Sequence, residues 1–212
     1  YDTFGYGSQI GSSGWYCVYK GTGTSVTYKV LSSNPSYRVM VCEFNGTTGK
    51  EKYNINSATN NPNNYYPTPT IQAQSITFSN LTPSSFTASW TNGNGSARIA
   101  FIKATNTGIA TPSNNTNYTA NTIFGSGSQI GSTGWYCAFN GTGSSVTITG
   151  LTANITYRIM VCEYNGPVNN QKFDLDSVAG NPNNAYLNPI TQASNLSVTQ
   201  VSTTSFSASW TN

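Results

Sequence analysis

Along this chain apolar residues return at every second position over short runs, and nowhere at the three-and-four spacing of a helix. Ile76 and Phe78 share one face of a first run at 75–80, and Phe86, Ala88 and Trp90 share a face of a second at 85–91. Asn92-Gly93-Asn94-Gly95 is a turn, because Asn and Gly adopt positive φ cheaply. Residues 98–103 make a third, strongly apolar strand, followed by a polar loop at 106–117 that contains Pro112. Short strands are expected at 119–123 and 135–139, separated by a Gly/Ser-rich excursion. A turn at 140–143 leads into a strand at 145–149, and 151–156 forms a corner. The longest clean strand is 157–164, with Tyr157, Ile159 and Val161 on one face and Arg158, Met160 and Cys162 on the other. Residues 165–166 turn the chain into a last strand at 172–178, and 181–184 open a linker. Seven or so short strands at this spacing predict an antiparallel β-sandwich.

The pattern occurs twice. GSQIGSSGWYCVYKGTG begins at Gly7 and GSQIGSTGWYCAFNGTG at Gly127, an offset of 127 − 7 = 120 residues. SSFTASWTN, ending at Asn92, returns as TSFSASWTN, ending at Asn212. A period of 120 is too long for a solenoid unit and suits a whole small domain in series. Residues 1–72 are therefore the C-terminal part of one repeat, 73–192 a complete repeat, and 193–212 the N-terminal strands of the next. The chain is expected to be a piece of a longer repetitive protein.

Charged residues make up only 7% of the chain and Ser, Thr, Asn and Gly take their place, while aromatics are plentiful. That composition suits a secreted all-β module and not a disordered segment. The net charge of +3 is scattered over isolated Lys and Arg, so nucleic-acid binding is not expected. No apolar run is long enough to span a membrane as a helix.

The order of motifs is similar to that of a fibronectin type III domain. Trp90 closes the second strand, Leu151 precedes Tyr157 by six residues, and a Tyr-x-Ile-x-Val strand runs into an Asn-Gly turn. The Leu151–Tyr157 pair resembles the tyrosine corner, in which the phenol ties a crossover to backbone. The resemblance implies an all-β fold of tandem immunoglobulin-like sandwiches. The finer text, YTANTIFGSGSQIG with GWYCAFNGTGSSVTITGLT and VCEYNG, resembles fibronectin-type repeats of large surface proteins from Bacteroidota. Those are exported by the type IX system and occur in adhesins and multidomain secreted enzymes. The chain departs from the animal type III pattern in its longer Gly/Ser-rich insert and in its cysteines.

Cys17 and Cys42, and Cys137 and Cys162, stand 25 residues apart in each copy (42 − 17 and 162 − 137). One pair per repeat predicts a disulfide in an oxidising compartment, the alternative being two half-buried thiols. If 135–139 paired beside the third strand, two strand spacings of about 9–10 Å would separate the cysteines, against the roughly 4.4–6.8 Å a bridge allows. A bridge thus requires that segment to fold over the sheet face or meet an edge, and this is the expectation.

The chain has no His, which removes the commonest general base and the Ser/His/Asp and Cys/His systems, and no metal or other cofactor is expected. Its six acids are Asp2, Glu43, Glu51, Glu163, Asp174 and Asp176. Asp174 and Asp176 are replaced by Asn54 and Asn56 in the other copy, a weak basis for catalysis or calcium binding. Glu43 and Glu163 recur, and alternation turns each of them inward at the end of its strand, so that Glu163 in the complete repeat needs Arg98 or Lys103 as partner. Trp15, Tyr16, Trp135 and Tyr136 recur as well. They are read as core or inter-strand packing, or alternatively as a platform that stacks on sugar rings. Asp176-Ser177-Val178 resembles the three-residue O-glycosylation acceptor of Bacteroidota, which would place a glycan on Ser177.

These observations lead to a non-catalytic structural or adhesive module of an extracellular or cell-surface protein. Its partners would be neighbouring repeats, self-assembled filaments, or surface glycans and proteins. The alternative is a carbohydrate- or protein-binding accessory module of a secreted multidomain enzyme.

Overall fold

The computed structural model describes residues 3–29 and 36–212, so Asp2 and the stretch 30–35 lie outside the described residues. Every regular element among them is a β-strand. In chain order these are β1 (Tyr37–Val39), β2 (Phe44–Asn45), β3 (Lys52–Tyr53), β4 (Asn63–Tyr65), β5 (Gln74–Ser79), β6 (Phe86–Thr91) and β7 (Ala97–Ala104). They continue with β8 (Tyr136–Gly141), β9 (Ser145–Ile148), β10 (Thr156–Asn165), β11 (Lys172–Phe173), β12 (Asn183–Tyr186), β13 (Ser194–Ser202) and β14 (Ser205–Thr211).

From β5 to β12 the chain builds an antiparallel sandwich of the fibronectin type III, immunoglobulin-like kind. One sheet has the order β5-β6-β9, and the other β11-β10-β7-β8 with β12 also on β10. Alternation places the core between the sheets. Ile76, Phe86, Ala88 and Trp90 from the first face Ala100, Ile102, Tyr157, Ile159 and Val161 from the second. Each large apolar side chain so buried contributes about 1.5–3 kcal/mol. Trp90 meets Phe139 edge to face, with ring centroids 5.3 Å apart.

The opposite face of the second sheet is covered too. The long β7–β8 connection folds back over it, burying Ala110, Tyr118, Ile130 and Trp135 against Ile99, Phe101, Met160, Cys162 and Phe173. It is tied down by the Ala110 N–H to Met160 Sδ (3.3 Å) and by Arg158 Nε donating to the Gly108 carbonyl (2.8 Å). The Ser113 N–H donates to the Tyr118 hydroxyl at 2.9 Å. The same five-residue reach recurs at the tyrosine corner, where the Thr152 N–H donates to Tyr157 Oη, also at 2.9 Å. Leu151 is buried beside it.

Three strand expectations need correction. Residues 119–123 form no strand; a single parallel bridge joins Ile123 to Thr149. The expected strand at 172–178 stops at Phe173, and 183–186, read as linker, is the second half of the edge strand. Asn181 accounts for the break: its side-chain amide takes the place of a ladder rung. Its Oδ1 accepts from Val161 N (3.0 Å), and its Nδ2 donates to the carbonyls of Val161 (2.7 Å) and Ala73 (2.6 Å). Asn61 repeats the device on Val41 in the other copy. The third correction is that the segment after Trp135 neither crosses the sheet face nor meets an outer edge. It pairs with β7, Cys137 opposite Phe101, with a bulge at the next rung.

In residues 3–72, β1 pairs with β4 and β2 with β3. The hairpin β13–β14 exposes Leu196, Val198, Phe206 and Trp210, whose counterparts one period earlier include the buried Ile76, Phe86 and Trp90.

Candidate functional site

The polar chemistry of the complete repeat gathers at one end of the sandwich, where the chain enters from the preceding copy. The β6–β7 turn and the start of β10–β11 lie side by side there because β7 and β10 pair with Arg98 opposite Glu163. Glu163 is fully buried and its carboxylate is saturated. Oε1 accepts from Arg98 Nε (3.0 Å) and Gly93 N (2.8 Å), and Oε2 from Arg98 Nη2 (3.3 Å) and Gly95 N (3.1 Å). Arg98 spends its remaining donors on the carbonyls of Thr142, Gly143 and Gly95. The turn needs glycine: a Cβ on Gly95 would stand 2.7 Å from Glu163 Oε2, and one on Gly93 would strike the Ile71 carbonyl.

The incoming segment 66–72 is bound to this end residue by residue. Asn165 Nδ2 donates to the Pro67 carbonyl at 2.9 Å, and Tyr66 lies against Gly166. Asn94 Oδ1 accepts from the Thr70 and Ile71 amides (3.1 and 3.0 Å), and its Nδ2 donates to Thr70 Oγ1 (3.1 Å). Gln72, itself buried, donates from Nε2 to the Asp174 and Asp176 carbonyls and accepts from the Glu163 amide at 2.8 Å. Pro67 and Pro69 are buried and restrict the backbone further.

Asn94, Asn165, Gln72 and Asn181 were not singled out from sequence. The available signal was the 120-residue recurrence of Gln72 as Gln192, Asn165 as Asn45 and Asn181 as Asn61.

The cysteines are all free thiols. Cys137 lies opposite Phe101 and Cys162 opposite Ile99 on the two sides of β7, so a whole strand separates them. Two strand spacings exceed disulfide reach, and the expected bridge is replaced by buried thiols. Burial pushes Cys137 up to about 12, and Cys162 is raised further by burial and by the nearby Asp174 and Glu163 carboxylates. Cys17 and Cys42 are exposed and half-buried.

Of the two readings of Trp135, the structure shows the buried one, under the β7–β8 connection beside Ile130 and Cys137. Tyr136 is half-buried, edge to face with Phe124 at 5.6 Å. Trp15 and Tyr16 are half-buried, and Tyr16 meets Phe4 at 5.3 Å. Asp174 and Asp176 do not face each other across a cleft: Asp174 is buried and accepts from the Asp176 amide (2.9 Å), while Asp176 is exposed. Burial raises the Asp174 carboxyl above its ordinary value. Ser177 is exposed in the loop between β11 and β12. Among the described residues no group of three or more His, Cys, Asp or Glu could hold a metal ion, and no helix is long and apolar enough to cross a membrane.

No protein-family model matches the chain, and no curated protein matches it. Among solved structures it is similar to a crystal structure of domains from titin, at 13% identity and a TM-score of 0.34, over 57% of this chain and 32% of that one. It is similar also to the crystal structure of the rat CD45 extracellular region, domains d3-d4, at 15% identity and a TM-score of 0.34, over 84% of each chain. The chain spans about a third of the titin fragment. Likenesses this faint carry no argument about function.

Proposed function

We propose that this chain is a non-catalytic structural module, a stretch of tandem sandwiches forming the stalk, adhesive body or filament-forming array of an extracellular or cell-surface protein. The observation that supports this is the linker between copies. The complete repeat grips its incoming chain from Pro67 onward and holds its outgoing chain through buried Leu187 and through Asn188, whose Nδ2 donates to the Leu81 carbonyl at 3.2 Å. Leu187 stands one period after Pro67. The two grips therefore overlap in the repeat, and no linker residue is left as a free hinge. Beads joined in this way transmit orientation and load from one repeat to the next. The partners this reading requires are neighbouring repeats, and the low charge allows them to approach closely. The finer setting, a Bacteroidota surface protein exported by the type IX system, rests on the resemblance of the motifs alone.

Small-angle scattering tests the reading. The chain should scatter as one conformation, and four glycines inserted after Tyr66 should broaden its distance distribution. Identical curves for the two chains would overturn the stiff-array reading.

A further inference from the structure

Four Asn-Gly steps fall in the complete repeat, at 92–93, 94–95, 140–141 and 165–166. Asn-Gly is the step at which asparagine most readily loses ammonia, because glycine puts no side chain in the way of its own amide. The glycine nitrogen sheds its proton to a base and bonds to the asparagine Cγ, the Cγ–Nδ2 bond breaks, and ammonia leaves. Water then opens the cyclic imide to aspartate or, chiefly, to isoaspartate, which carries an extra main-chain carbon. Two requirements set the rate. The glycine N–H must be open to a base, and its nitrogen must be free to swing onto Cγ.

Two of the four steps share one lock. The Gly93 N–H donates to Glu163 Oε1 at 2.8 Å and the Gly95 N–H to Glu163 Oε2 at 3.1 Å. Both attacking protons therefore point at a fully buried carboxylate and away from any base in solvent. An amide anion formed there would have a negative group as its hydrogen-bond neighbour, which disfavours it. The side chain adds nothing at Asn92, which is exposed and forms no side-chain hydrogen bond among the described residues. Asn94 has most to lose, because its carboxamide clamps the Thr70 and Ile71 amides and Thr70 Oγ1. The other two steps are held by their own side chains. Asn140 is fixed between the Tyr164 hydroxyl and the Tyr118 carbonyl, and Asn165 between the Ser96 amide and the Pro67 carbonyl.

We propose that Asn92 and Asn94 are latent deamidation sites, and that Glu163 is the group that keeps them latent. An isoaspartate at 94 lengthens the turn and withdraws the clamp from Thr70 and Ile71, so that the joint to the preceding copy loosens irreversibly. That consequence rests on the stiff-linker reading, whereas the guarding of the two amides does not, so either can fail alone.

The test is to age the full chain in mildly alkaline buffer below its melting temperature and to follow each Asn-Gly step by peptide mapping. A synthetic peptide of residues 88–98, in which nothing holds the amides, sets the reference rate. Steps 92–93 and 94–95 should be slower in the chain than in the peptide by about a hundredfold or more. Glu163→Gln should quicken 94–95 at least about tenfold, the larger effect of the two. Glutamine keeps one oxygen, which stays with the close contacts of Oε1 at 2.8 and 3.0 Å, and its NH2 group turns to Gly95. Step 140–141 should keep its wild-type rate in the same sample. Hydrogen exchange on the wild-type chain needs no variant to fold, and the Gly93 and Gly95 amides should exchange as slowly as those of the β7–β10 ladder. Steps as fast in the chain as in the peptide, or rapid exchange at either glycine, would overturn the proposal. So would a Glu163→Gln chain in which no step quickens, or one in which all four quicken alike, the mark of a general loosening.

Discussion

Replacing Glu163 by glutamine changes one atom of a fully buried group, and its cost can be worked from the geometry. Each carboxylate oxygen accepts from one glycine amide and one Arg98 nitrogen, at 2.8–3.3 Å. Glutamine turns one oxygen into an NH2 group, so two donors then face a donor, and the buried Arg98 loses its counter-charge. Breaking a buried pair from one side costs about 3–5 kcal/mol, which for a domain of this size lowers Tm by roughly 12 °C or more. Urea unfolding followed by Trp90 and Trp135 fluorescence measures it. Glu43→Gln is the internal control. Glu43, expected to face inward like Glu163, is instead exposed and makes no ion pair or side-chain hydrogen bond among the described residues, and its replacement should stay within about 0.5 kcal/mol. A Glu163→Gln loss below about 1 kcal/mol, or equal losses at both sites, would refute the reasoning.

Asn181→Ala leaves the Val161 amide and the Val161 and Ala73 carbonyls unpaired in the core and should cost about 2–3 kcal/mol in the same assay. Tyr157→Phe removes only the acceptor for the Thr152 amide and should cost about 1 kcal/mol. Cys137 and Cys162 should resist thiol reagents in the folded chain and react only on unfolding, while Cys17 and Cys42 react at once; non-reducing peptide maps should contain no bridge. Asp174 is raised by burial, so its contribution to stability is fully present below the unfolded value near 3.8 and is lost as pH rises through the folded value. Asp174→Asn should therefore remove that loss and leave the chain more stable at neutral pH, as read from melting curves across the acid range.

The alternation of apolar residues was enough to place the faces of β10. Tyr157, Ile159 and Val161 point between the sheets, and Met160 and Cys162 point away. The tyrosine corner is legible for the same reason, since its hydrogen bond spans only five residues. Glu163 could be read as inward-facing and in need of a cation, but which cation is a matter of register, settled when β7 and β10 pair with Arg98 opposite it.

The remaining features depend on what packs where. That β8 docks beside β7 decides that the cysteines stay apart, and no spacing of 25 residues encodes this. That a side-chain amide stands in for a ladder rung at Asn181 decides where the edge strand breaks. The plainest case is GSQIG, which stands unchanged at both ends of one period. Ile130 is 6% exposed because it packs with Ile99, Phe101 and Met160 of the second sheet, whereas Ile10, in the same five-residue text, is 70% exposed. Local sequence dictates extended backbone, turns and the direction in which a side chain points, because those are short-range steric matters. Burial belongs to the surface that arrives opposite, and only the assembled fold decides whether one does.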